Sequence, residues 1–224
     1  MSEFKEAIEH AWPGVLEIVT DSQTALSDIY RWGKYADTGI RKQNDLEHSF
    51  SITILASIIM AKICDHTRPI DRQLVLNAFL VHDYGEGLLG RDICLVDKTG
   101  HDDIDEYKAF INKFSVLDKR ICNQFHRAYL LQYITSERPD FPPEAQAIME
   151  ELRENRMLEA LIFMAVETLE YILYALEQHG NGHKTILAEV LANAEKRIAF
   201  LKNNLCGFKE AIWTEEIEKA IQKT

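Results

Sequence analysis

The sequence predicts an all-α helical bundle built as a single domain, and three observations carry that expectation. Only ten Gly and five Pro interrupt 224 residues, so there is little of the turn chemistry that many short strands need. Between these breaks apolar residues recur at helical rather than alternating spacing. A hydrophobic content of 46% with 27% charged residues gives a chain of this length enough apolar side chains for one real core.

Helices are expected at about 3–11, 14–31, 45–65, 71–81, 102–114, 119–134, 144–178, 184–203 and 208–222. Asn44 followed three residues later by Glu47 resembles a capping box, Asp71 and Asp102 can each cap the helix that begins beside them, and Pro142-Pro143 sits where a helix starts. Gly87, Gly100 and the Gly180-Asn181-Gly182 run are stop signals. Segment 84–101 reads as irregular because Gly85, Gly87, Gly90 and Gly100 crowd into it directly after His82-Asp83. The long apolar run 158–176 carries Glu159, Glu167 and Glu170, which hydrocarbon would not tolerate, so it is expected as a buried helix and not as a membrane span.

The first residues show neither a basic nor an apolar leader region, and the four cysteines, Cys64, Cys94, Cys122 and Cys206, are far apart with no C-x-x-C pair. A cytoplasmic protein without disulfides is expected. A net charge of −11 argues against a long nucleic acid as partner. It leaves room for a small phosphorylated metabolite, since a bound metal can supply positive charge locally.

Three polar features stand out against the apolar helices. His48 shares a helix face with Ile52, Leu55 and Ile59 and should point inward; taken alone, a hydrogen-bonded core histidine is the simpler explanation. The apolar stretch Leu74 to Val81 runs into His82-Asp83, with Glu86 three residues on. Polar groups at the end of a buried helix must pair with each other or bind a cation, and the residues alone do not choose between the two. Glu167 lies inside the run Leu161 to Leu169, and Glu170 competes with it for the inward direction.

At these residues the chain resembles the HD superfamily of metal-dependent phosphohydrolases. His48, the His82-Asp83 pair, Glu86 and a late acid follow its H…HD…D pattern over residues 29–178. Within it the chain is most similar to the small 5′-deoxyribonucleotidases. The resemblance implies an HD-domain-like bundle over 1–180, with 181–224 as a C-terminal helical extension packed on it. It implies a divalent metal on His48, His82, Asp83 and Glu167, a ligand set that suits Mn, Co, Fe or Zn better than Mg.

Glu86 and Asp83 would then be the catalytic acids and bases. Arg31 and Trp32 match the branch's Arg-Trp, the Arg at the phosphate and the Trp near the sugar; Asp92 and Lys98 match an Asp and a Lys of the following loop. The implied substrate is a nucleoside 5′-monophosphate or similar small phosphorylated compound, and the wide apolar helix faces are compatible with a homodimer.

The chain departs from the family pattern in three places. Glu167 stands where Asp is usual, Arg91 is inserted between Gly90 and Asp92, and a second pair, His101-Asp102, has no counterpart, with Asp102 expected as a helix cap. Two other functions keep the same residues: an iron oxygenase of the same fold, for which His101 and His126 are the central spare ligands, and a binding protein with a degenerate site.

Overall fold

A computed structural model describes residues 2–33, 39–63, 69–91, 93, 98–135 and 140–221. Among these the chain is helical: α1 (Ser2–Ala11), α2 (Val15–Ser27), α3 (Asp45–Lys62), α4 (Arg72–Val81), α5 (Tyr84–Leu89), α6 (Gly100–Phe114), α7 (Lys119–Leu130), α8 (Pro143–Asn155), α9 (Met157–Gly180), α10 (Lys184–Asn204) and α11 (Glu215–Ile221). A 3₁₀ turn, Leu131–Tyr133, follows α7, and a π-helical turn, Phe208–Ile212, precedes α11. The all-α class expected from the sequence is the one observed, and no described helix is long and apolar enough to cross a membrane.

The bundle is organised around α9, which is apolar on most sides and packs against α3, α4 and α10. Ile52 and Ala56 of α3, Val75, Ala78 and Phe79 of α4, and Ile162, Ala165 and Val166 of α9 are all buried without measurable exposure. Phe79 stacks on Phe163 at 4.6 Å between ring centroids. The 158–176 run is thus the centre of the hydrophobic core, and burying its apolar surface supplies most of the driving force for docking α9. Glu159 at its start is buried and accepts the Asp71 N–H at 3.0 Å, tying α9 to the first turn of α4.

Several boundaries differ from expectation for identifiable reasons. The single helix expected over 144–178 is two, broken at Arg156 (φ −132°, ψ 24°). The break lets α8, which has one apolar face, lie on α7 while the all-round apolar α9 enters the core. Helix α2 stops at Ser27 and not at 31, because the chain then runs extended to form an antiparallel bridge between Tyr30 and Asn44. Helix α3 ends at Lys62, and the remainder of the expected 45–65 helix reaches residues outside those described.

The segment expected to be irregular contains the short helix α5. Its glycines are there for packing: a Cβ on Gly85 would sit 2.7 Å from the Glu106 carbonyl oxygen, and one on Gly87 2.9 Å from that of Ala25. Helix α6 starts two residues earlier than expected, with Thr99 as its cap and Asp102 as the reciprocal partner inside the first turn. Asp102 is therefore not itself the cap. Asn44 and Asp71 do cap α3 and α4, accepting from the N–H groups of Glu47 and Leu74.

Candidate metal centre

Helix α3 starts at Asp45, so His48 lies on its first inward-facing turn. Helix α4 ends at Val81, which delivers His82 and Asp83 at the junction with α5, and both are buried. Across from them α9 presents Glu167, Glu170, Tyr171 and Tyr174 at i, i+3, i+4 and i+7, one face of a helix.

Four donor atoms meet between these elements. His48 Nε2 lies 3.2 Å from His82 Nε2. Asp83 Oδ2 is 3.6 Å from the first imidazole and 3.1 Å from the second. Glu167 Oε1 is 3.6 and 3.2 Å from the same two nitrogens. Bonds of about 2.0–2.2 Å from a central ion to N and O ligands give donor-to-donor edges of roughly 3.0 Å in octahedral and 3.4 Å in tetrahedral arrangements. Three of the five spacings, 3.1 to 3.2 Å, lie in that range, and the two from His48 Nε2 to the carboxylates, at 3.6 Å, are slightly longer.

Hydrogen bonding favours a cation among them as well. His82 Nδ1 is 3.0 Å from the Phe79 carbonyl oxygen, which makes Nδ1 the protonated nitrogen of the neutral ring and leaves a lone pair on Nε2. His48 Nδ1 faces Glu170 Oε2 at 3.2 Å, so a carboxylate lies behind this ring as well and favours a proton on Nδ1. Two imidazole lone pairs and two carboxylate oxygens then converge, and Glu167 Oε1 is buried without a well-formed hydrogen bond. Such a cluster is costly unless a positive charge sits in it. Glu170 in turn accepts from Gln43 Nε2 at 3.1 Å, so the carboxylate behind His48 is itself held.

The proton affinities express the same demand. Burial by itself would lower the pKa of His82, but Asp83 and Glu167 outweigh it and hold the imidazole well above its ordinary value. Burial and Arg31 likewise oppose protonation of His48, and Glu167 and Glu170 overcome them. Burial would raise the Asp83 carboxyl, yet His82 and Arg31 hold it well below the usual carboxylate range. Glu167 is depressed too, its burial offset by the two imidazoles, His48 and His82, that face it.

Arg31 reaches this cluster from the extended segment after α2. Its backbone N–H donates to Gln43 O at 2.8 Å, its Nη1 donates to Asp83 Oδ2 at 2.6 Å, and its Nη2 donates to the Tyr171 hydroxyl. Buried Asp45 lies 3.7 Å from Nη1. Trp32 stacks on Tyr174 at 4.6 Å and meets Tyr171 edge-on at 5.6 Å. Its φ of 68° is left-handed, a costly conformation for a bulky side chain.

Glu86 and Lys98 form a neighbouring cluster. Lys98 Nζ lies 2.6 Å from Glu86 Oε1, 2.6 Å from Glu106 Oε2 and 3.7 Å from Asp103 Oδ1, all of them buried. One ammonium cannot balance three carboxylates away from water. Burial and the nearby Asp83 push Glu86 up to about 8 despite Lys98, and burial pushes Glu106 up to about 7.

Asp92 lies outside the described residues. Arg91 pairs with Asp102 at 3.2 Å at the start of α6. His101 is exposed, and His126 faces the Tyr107 hydroxyl at 3.0 Å. Sequence reasoning does not single out Asp45, Gln43 or Tyr171 as site residues, and it names Glu170 only as a competitor of Glu167 for the inward direction. The signal for the last two is the spacing of Glu167, Glu170 and Tyr171 on one helical face.

A family model described as HD domain matches residues 25–204, most of the chain and every residue of the site just described. The chain belongs to the HD domain family. No curated protein matches it. Membership supports a metal-dependent phosphohydrolase in general terms, and in this HD domain His48, His82 and Asp83 form a buried group that could hold the ion.

Proposed function

We propose that this HD domain protein is a metal-dependent phosphomonoesterase acting on a small phosphorylated metabolite, a nucleoside 5′-monophosphate in the first instance. The observation that carries the proposal is the convergence of His48, His82, Asp83 and Glu167, with both imidazole Nδ1 atoms engaged behind them. We assign the metal to these four residues. The mixed nitrogen and oxygen donor set suits Mn, Co, Fe or Zn better than Mg. Such an ion, when bound, polarises a phosphoryl oxygen and brings the pKa of water toward neutrality.

The chain's own residues supply the rest. Arg31, fixed by Asp83 and Tyr171, has further N–H groups with which to neutralise charge spread over phosphoryl oxygens. Glu86 keeps its proton near neutral pH, so it is suited to protonate a leaving alkoxide. Asp83 is held ionised and orients what binds beside it. Lys98 compensates Glu86 and Glu106 and acts on the reaction through Glu86. Trp32, held in a strained conformation against Tyr171 and Tyr174, offers an aromatic surface for a sugar or base, since strain of this kind collects at ligand sites.

The test is metal analysis of the purified protein followed by phosphate release from a panel of nucleoside monophosphates with added Mn, Co or Mg. One ion per chain and release from monophosphates, lost in Asp83→Ala, is the expected result. Full turnover in a His82→Ala, Asp83→Ala double variant overturns the assignment.

A further inference from the structure

We infer that the outer face of α3 is a twofold interface between two copies of this chain. The inner face of α3 carries Asp45, His48, Ile52 and Ala56 into the core. Its outer face should be polar, as on an ordinary surface helix. Instead Leu46, Phe50, Ile54 and Ile58 stand in water at fractional exposures of 43, 69, 47 and 49%. Between Glu47 and Lys62 the helix has no Asp, Glu, Lys or Arg at all. In a chain with 27% charged residues and a net charge of −11, two equally charged copies can meet along this uncharged stretch, Glu47 beside its start being paired with Arg41 at 2.7 Å.

The pattern also fits a second copy of the same helix. Residues 46, 50, 54 and 58 form one i±4 ridge, and the adjacent row runs from buried Ser49 through half-buried Thr53 to exposed Ser57 and Ala61, a groove of small side chains open toward its C-terminal end. Two helices related by a twofold axis can each lay this ridge in the other's groove, the commonest packing class, at a crossing angle of about −50°. A twofold interface must be self-complementary, and a ridge beside a matching groove on one helix meets that condition.

The area is of the right size. The four ridge residues leave on the order of 450 Å² of mostly apolar surface in water at these exposures. Phe50 and Ser51 also border a shallow cavity of about 260 Å³, lined with them by Tyr174 and the charged Arg41, Glu47 and Glu177. A standard interface removes roughly 800 Å² per partner, and about 65% of it is apolar in homodimers. The apolar part of such an interface is then roughly 520 Å² per partner, and the ridge can supply most of it.

Sedimentation velocity of the whole protein across micromolar concentrations tests the inference. Wild type is expected to sediment as a dimer, and the double variant Phe50→Glu, Ile54→Glu as a monomer with unchanged helical circular dichroism. A monomeric wild type, or a folded double variant that stays dimeric, overturns it. Should the double variant fail to fold, Ile54→Cys decides. Near the crossing point the two sulfurs come within disulfide reach, so mild oxidation should give a cross-linked dimer above the level of the parent protein, while Ile121→Cys on α7 should not. No excess cross-linking at position 54 overturns the inference equally.

Discussion

Replacing Glu170 by Gln keeps the shape of the side chain and removes one negative charge from behind His48. In the folded protein Glu170 Oε2 lies 3.2 Å from His48 Nδ1 and Oε1 accepts from Gln43 at 3.1 Å. The negative charge therefore favours a proton on the imidazole Nδ1 and makes Nε2 more basic. Loss of such a partner lowers metal affinity or activity by about 10–100-fold. That corresponds to roughly 1.4–2.7 kcal/mol.

The amide oxygen of the new Gln can still accept from Nδ1, so the lower part of this range is expected for Glu170→Gln and the upper part for Glu170→Leu. Competition against a chromophoric chelator measures the affinity directly, with Co or Zn as the probe. Equal affinity in wild type and both variants would refute the role given to Glu170, because a residue that only fills space is indifferent to that charge.

Two further perturbations probe the surroundings. Arg31→Met leaves Asp83 without its closest cationic partner inside the bundle; breaking a buried pair in this way costs about 3–5 kcal/mol, to be read as a lower urea midpoint, and an unchanged midpoint would show the pair to be dispensable. The Lys98 cluster should make stability fall with pH. Glu86 rises from an ordinary value near 4.5 to about 8 in the folded state, so the folded chain binds the extra proton between those limits. Its stabilisation is complete below about 4.5 and lost as pH rises through 8. Denaturant titrations over that window should show a shallower slope for Glu86→Gln, and an identical slope would remove Glu86 from the account.

What is legible in the sequence is physically uneven. His48, His82 and Asp83 are visible because each interrupts an apolar helix where a polar group has to be compensated, and the pattern of long helical periods points to the fold class. The inward acid on α9 reads as a choice between Glu167 and Glu170. The structure uses both, one toward the imidazole Nε2 atoms and one toward Nδ1 of His48, because a spacing of three places them on one face at different heights. Helix α5 is hidden by Gly85 and Gly87, which local propensity counts as breakers and tertiary packing requires. Asp45 and Gln43 cannot be found by periodicity. Their contribution depends on the bridge that brings residues 29–31 against 43–45, a pairing between loops that leaves no repeat in the sequence.

The bond between Arg31 and Tyr171 joins residues separated by 140 positions, and His48 faces Glu167 across 119. A chain emerging from the ribosome therefore holds the adjacent His82-Asp83 pair long before it can complete the site. Closing loops of this length is slow and comes late, after helices with local contacts have formed. With the four ligands proposed above, a metal would meet only a partial set until α9 docks and would bind it weakly, so it would not trap a half-built bundle. On that assignment, affinity high enough to retain the ion would come with the docking of α9, and metal loading would report on completed folding.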